Sequence, residues 1–153
     1  MCSSSTGQVY ARSGTYDGNF IIIYAWFMPK DEPSSGLGHR YDWEFSAVML
    51  SSESLTASLV GVFASAHGKG SGETNAPLSG THPLIEYYSP IWPIDHQTGF
   101  TTTVGGMQPL IAWESLTAAA QSTLNTFDFG DANVPFDDSN LASNLALVYN
   151  AIE

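Results

Sequence analysis

At 153 residues the chain has the length of one domain, and 43% hydrophobic residues with 12% aromatic can build a core. Four Lys and Arg stand against fifteen Asp and Glu, a formal net charge of −11, with no basic cluster along the chain. That balance argues against nucleic acid as a partner and against adsorption to an anionic lipid surface through Lys and Arg, so a membrane role would need another device, such as a bridging cation.

Residues 1–12 lack the charged and apolar regions of a secretory signal, and the single Cys2 has no internal disulfide partner. Strand signals dominate the first two thirds. Residues 8–12 and 19–28 are rich in Val, Ile and aromatics, with the turn sequence YDGN between them. The run from Phe20 to Met28 is far too short to span a membrane. Lacking alternation, it reads as a central strand covered on both faces, with Trp26 in the core. From Tyr41 to Leu50, Trp43, Phe45, Ala47 and Met49 fall at period two and form an apolar face, leaving Asp42, Glu44 and Ser46 on the other. A third apolar run spans residues 55–64. The Gly- and Ser-rich stretch from His67 to His82 reads as a surface loop with both histidines solvated. Further strands are expected at 83–88, 99–104 and 110–113, with Trp113 structural. Ser115 can cap a helix carrying Leu116, Ala119, Ala120 and Leu124. A second helix, capped by Asp138 or Ser139, carries Leu141, Leu145 and Val148 at i, i+4 and i+7. Many short strands followed by a few helices predict a mainly β chain, an antiparallel sandwich with helices packed outside it.

One short stretch, PKDEPSSGLGHRYDWEF from Pro29 to Phe45, concentrates acids around a turn-rich loop. Asp42 and Glu44, two apart on a strand, point the same way. If the strand ending near Pro29 pairs with the one starting at Tyr41, the loop returns Asp31 beside Asp42 and leaves His39 at the same rim. Asp31, His39, Asp42 and Glu44 would repel one another unless something positive lies between them. Carboxylate oxygens favour Mg²⁺, Ca²⁺ or Mn²⁺, and Mg²⁺ would keep several waters, so His39 and Glu44 could act through water. The same residues also read as an ordinary solvated acidic rim, and spacing does not choose between the two.

These residues carry a resemblance. The segment from Ile21 to Glu44, with its heptapeptide GHRYDWE, resembles the most characteristic part of the necrosis- and ethylene-inducing-protein-like family, whose heptapeptide is GHRHDWE. GQVYAR, PLIEYYSPIWPIDHQTG and QPLIAWESLTAAAQSTLNTFDFGDANVPFDDSNL are similar to family segments in the same order, so the resemblance covers essentially the whole chain as a single domain, residues 1–153. It implies a β-sandwich like those of actinoporins and fungal lectins, and a divalent cation, Mg²⁺ or Ca²⁺, held by residues matching Asp31, His39, Asp42 and Glu44, with His96 nearby. Trp92 and Asp95 match a loop implicated in sugar and membrane contact. From the residues alone, Trp92 reads equally as a headgroup-level indole or a packed one. The implied activity is that of a secreted cytolysin without a catalytic reaction. Such a toxin binds plant plasma-membrane glycosylinositol phosphorylceramides and permeabilises the membrane.

The resemblance also sets expectations where the chain departs from the pattern. Tyr41 stands where the family has a second histidine, and alternation points it away from Asp42 and Glu44. Family members carry a signal peptide and some tens of residues, including an earlier cysteine, before the segment that begins here. Cys2 therefore resembles the second half of a disulfide, and the chain the C-terminal two thirds of the family domain. A truncated, inactive copy, a lectin-like binder, and a pattern recognised by a plant immune receptor through the segment from Ile21 to Glu44 are the alternatives. Metal-activated hydrolysis is a further class, but the sequence shows no nucleophile elbow, Walker motif or second set of acid–base residues.

Overall fold

A computed structural model describes residues 7–34, 36–91 and 95–153; Cys2 and Trp92 lie outside them. The first two strands, β1 (Val9–Tyr16) and β2 (Asn19–Met28), form a hairpin paired from Val9↔Trp26 to Tyr16↔Asn19. Its two-residue turn places both Asp17 (φ 46°) and Gly18 (φ 83°) in the left-handed region, the geometry that suits the twist of tight hairpins. A small hairpin follows, β3 (Asp31–Ser34) with β4 (Leu37–His39). Then comes β5 (Asp42–Leu50), antiparallel to β2 from Met28↔Asp42 to Phe20↔Leu50. The strands β6 (Leu59–Ala66) and β7 (Lys69–Glu73) extend this sheet. Beyond them lie β8 (Leu78–Ser79), β9 (His82–Pro83), β10 (Ile85–Ile91), β11 (Asp95–Phe100) and β12 (Leu110–Ala112). The main sheet has the order β12-β1-β2-β5-β6-β7, with β12 parallel to β1.

The sheet is sandwiched. Against one face lies α2 (Leu141–Ile152), which buries Leu145, Val148 and Ile152 at helical spacing and packs on β1, β2, β5, β6 and β7. Ile21, Ile23, Ala25, Ala47, Met49 and Phe63 supply the core beneath it, all fully buried. The β10–β11 hairpin forms the second, smaller layer over β5 and β6. The architecture is therefore mainly β with two helices outside it, as expected.

Several local expectations are corrected. The Ile-rich strand is fully buried on one face only, since Phe20, Ile22, Tyr24 and Trp26 are half-buried, and Trp26 Nε1 donates to Gln108 Oε1 at 2.7 Å. The apolar run at 55–64 does not begin as strand. Leu55 is fully exposed in a turn, and β6 starts at Leu59. The Gly-rich stretch after His67 is not all loop, because its first part is β7, reached through the positive-φ turn His67–Gly68. Glycine is required in that strand by close approach. A Cβ at Gly70 would overlap the Phe63 ring and the Ala64 carbonyl, and one at Gly72 would overlap the Ala151 backbone of α2. The strand expected at 99–104 instead runs Asp95–Phe100.

The first helix, α1 (Ala118–Thr126), is capped by Thr117 rather than Ser115, which lies in a 3₁₀ turn, Trp113–Ser115. At the second helix neither Asp138 nor Ser139 is the cap: Asn140 precedes Leu141 and makes no side-chain capping bond. The buried carboxylate of Asp137 instead organises the turn that leads into the helix, accepting the N–H groups of Ser139 at 2.9 Å and Asn140 at 2.7 Å.

Candidate functional site

The heptapeptide lies where β4 leads into β5, and pairing builds the site around it. Asp31 is paired with His39 across β3–β4, and Met28 with Asp42 across β2–β5, so the loop does return Asp31 to the rim where β5 begins. On the other side stands the β10–β11 hairpin. Tyr87 opposes Thr98, and His96 lies two residues from Thr98, so all three occupy one hairpin face. Thr98 fastens that face to the main sheet, with its buried hydroxyl 3.1 Å from the Phe45 carbonyl and 2.9 Å from that of Ser65.

Tyr87 is the centre of the arrangement, and the sequence reading missed it. Its hydroxyl donates to Asp42 Oδ2 at 3.0 Å, and its ring stacks on that of His96 with centroids 5.4 Å apart and planes at 23°. Burial first, then the charges of Asp42 and Asp31, the hydrogen bond to Asp42 and the charge of Glu44 push its phenol pKa far up. One phenol therefore feels all three expected carboxylates. His96 Nδ1 stands 2.5 Å from Asp31 Oδ1. Glu44 is buried, at 5% exposure, and accepts the Ser65 hydroxyl. His39 Nδ1 lies 2.5 Å from the Tyr41 carbonyl, which can only accept. That hydrogen bond places the proton on Nδ1 and leaves Nε2, 3.7 Å from Asp31 Oδ2, as the open ring nitrogen. Tyr41 itself packs among Phe27, Phe127 and Phe129, away from the carboxylates as alternation requires.

The expected site residues thus stand as follows. Asp31, His39, Asp42, Glu44 and His96 gather at one rim, with Tyr87 among them. Asp95 opens β11 opposite Ile91. Among the described residues, no three His, Cys, Asp or Glu groups converge closely enough to hold a metal as they stand. The donor chemistry nonetheless suits a hard cation, since the acids offer oxygen and the open His39 nitrogen sits beside them. A cleft of about 480 Å³ adjoins the rim, lined by His39, Asp42 and Glu44 on one side and by Asp131, Asn133 and Asn144 on the other. Trp43 also lines it, and its indole N–H is buried without a hydrogen-bond partner. A second hollow of similar size, about 500 Å³ between β7 and β11, is lined by His67, Lys69 and Gln97 and lacks the carboxylates.

The raised Tyr87 pKa has a readable consequence. The folded chain holds this proton more tightly than the unfolded chain, whose tyrosines ionise near pH 10.0. The stability linked to it is intact below that pH and is lost as pH rises above it. In an alkaline titration followed by phenolate absorbance, Tyr87 should ionise at higher pH than an ordinary tyrosine, as should Tyr24, whose pKa burial also raises. Y87F should remove one of these late tyrosines; loss of an early one instead would contradict the arrangement.

The profile of the family described as necrosis inducing protein (NPP1) matches residues 1–147. NLP effector protein 10 of Phytophthora capsici is 44% identical over 146 residues, which are 91% of this chain and 61% of that protein. The solved structure of NLPPya in complex with glucosamine superposes with a TM-score of 0.87 at 47% identity, over 93% of this chain and 68% of the other. A structure described as the non-toxic HaNLP3 protein superposes with a TM-score of 0.86 at 32% identity, over 95% and 70%. The chain spans between 44% and 62% of the length of curated relatives it matches. With this match running through both sandwich layers and the acidic rim, the chain belongs to the necrosis-inducing protein (NPP1) family.

Proposed function

We propose that the chain carries the headgroup-binding site of a secreted cytolytic toxin. The toxin would dock on glycosylinositol phosphorylceramides of the plant plasma membrane through a divalent cation and then permeabilise the bilayer. The observation that carries this reading is the gathering of Asp31, Asp42 and Glu44 around Tyr87, with His96 and His39 at the same rim. Those residues would hold Mg²⁺ or Ca²⁺, and the ion would offer open positions to headgroup oxygens. A chain of net charge −11 needs such a bridge to approach an anionic glycolipid. Support for the sugar half of the ligand comes from a neighbour whose structure was solved with glucosamine. The adjoining cleft offers space for sugar hydroxyls, with carboxylate and amide groups on its walls. In this reading the site binds without turnover, and Trp92 and Asp95 contact sugar and membrane.

The test is dye leakage from vesicles containing plant glycosylinositol phosphorylceramides, with and without a chelator, for this chain and for Asp42→Ala. Leakage that needs both the cation and Asp42 is the expected result. Leakage indifferent to both would overturn docking through the cation, and none from a chain shown by circular dichroism to be folded would overturn the lytic reading.

A second reading has its own support. The non-toxic HaNLP3 protein has the same fold, so fold alone does not decide lysis, and a non-lytic glycolipid binder or immune pattern fits this architecture too. Ile21, Ile23 and Ala25 are fully buried in β2. A receptor reading the segment from Ile21 to Glu44 would therefore meet it as an excised peptide. Immune responses to that peptide without vesicle leakage would favour this version.

A further inference from the structure

We propose that the aromatic cluster of Tyr41, Phe127 and Phe129 is a further membrane contact, one that settles at the headgroup level of a zwitterionic phospholipid bilayer. The inference rests on the membrane-docking reading above and adds to it a surface that holds no ion.

The cluster and the acidic rim share one end of the main sheet. Tyr41 and Asp42 are neighbours where β5 begins, and their side chains leave in opposite directions, Tyr41 towards the phenylalanines and Asp42 towards Tyr87. One surface laid across that end therefore meets both. The Tyr41 ring lies 5.8 Å from Phe127 and 5.6 Å from Phe129, and those two are 4.8 Å apart. Phe129 leans in turn on Phe27 at 5.6 Å and on the buried Trp43 at 5.7 Å. The outermost ring, Phe127, is thus 49% exposed yet held on a base of rings that reaches the core.

The charges around the cluster fit a lipid headgroup. Arg40 is exposed, with its guanidinium carbon 5.0 Å from the centre of the Tyr41 ring, and Lys30 is exposed just past the end of β2. These are two of the four Lys and Arg in the chain. Of the others, Arg12 is paired with Asp138, and Lys69 lies on the edge strand β7. A guanidinium held beside half-exposed rings can reach a lipid phosphate while the rings sit at the headgroup level, where amphipathic aromatics settle in a bilayer. Asp128, between the two phenylalanines, and the net charge of −11 weigh against an anionic surface. Phosphatidylcholine offers the phosphate without a net charge, so it is the lipid this patch suits.

Co-sedimentation of the 153-residue chain with vesicles of phosphatidylcholine and plant glycosylinositol phosphorylceramide, in MgCl₂, tests this. Phe127→Ala should weaken partition about fivefold, the worth of burying roughly half a phenyl ring. Leu55→Ala is the control and should change nothing, because Leu55 is fully exposed in the turn after β5, at the opposite end of the sheet. Non-specific adsorption would depend on Leu55 at least as much. Insertion is read separately with Phe127→Trp, whose added fluorescence should be quenched by brominated phosphatidylcholine, whereas that of Leu55→Trp should not. Three results would each overturn the patch and leave docking through the rim standing: full partition of a folded Phe127→Ala chain, an equal loss from Leu55→Ala, or an unquenched Phe127→Trp signal. A parent chain that binds no vesicle would overturn the docking reading and this inference together.

Discussion

Phe136→Ala should lower the urea midpoint of unfolding by about 2 M, a loss of about 3–5 kcal/mol at an m-value of about 2 kcal/mol/M. The residue sits in the loop before α2, yet it is fully buried. Its ring stacks on Tyr10 at 5.7 Å and meets Trp43 at 5.7 Å and Trp113 at 5.9 Å, tying β1, β5 and the 3₁₀ turn together. Arg12 reinforces the same point. It donates to the Phe136 carbonyl at 2.8 Å, pairs with Asp138 at 2.8 Å and lies over the Trp113 ring. Truncation would leave a cavity among large rings that cannot collapse to fill it. Domains hold only about 5–15 kcal/mol in total, so this single change threatens the fold. Phe127→Ala is the comparison, because Phe127 is 49% exposed in the same aromatic cluster and should cost well under half as much. Equal losses from the two would mean that the core does not run through Phe136.

What could be read in advance depended on whether a signal was local. Period two in β5 placed Trp43, Phe45, Ala47 and Met49 on one buried apolar face, because alternation is a property of the strand itself, but Glu44 and Ser46 on the other face are buried as well. The spacing of Leu145 and Val148 announced the buried face of α2 for the same reason. Composition misled where a residue served a neighbour. Gly70 and Gly72 look like loop, but they are glycine because Phe63 and the end of α2 occupy the space a side chain would take. Uninterrupted Ile suggested a strand covered twice, whereas Ile22 and Tyr24 are only half-buried.

The site divided along the same line. Asp31, His39, Asp42 and Glu44 fall within one hairpin connection, so strand geometry alone could bring them together. Tyr87 is 45 residues from Asp42 in sequence and reaches it only because β10–β11 folds back over β5. The motif YYSPIW offered two adjacent tyrosines, and the choice between them lay in the hairpin register, which pairs Tyr87 with Thr98 and Tyr88 with Gln97. A pair of tyrosines before a histidine-bearing strand is the signal that could have prompted the search.

Asp42→Asn should separate the acidic rim's contribution to binding from its cost to stability. Asn keeps the shape of Asp and can accept from Trp43 N–H, while the Tyr87 hydroxyl can turn to accept from the new amide, so the hydrogen-bonded geometry survives. The change removes one of three carboxylates crowded around a phenol in a chain of net charge −11. Without added cation the variant should therefore melt no lower than the parent and up to a few degrees higher, the usual trade between a charged binding site and the fold that carries it. With Mg²⁺ at a hundred times its dissociation constant the parent should gain about 2.7 kcal/mol, a rise in Tm of roughly 5–10 °C for a domain of this size. The variant should show almost none of that gain. Thermal melts of both proteins in chelator and in MgCl₂ read all four values. A parent that does not respond to the ion would refute the cation site. A variant that responds as fully as the parent would leave the ion in place and remove Asp42 from its ligands, and the emphasis would then pass to Asp31, Glu44 and the open nitrogen of His39.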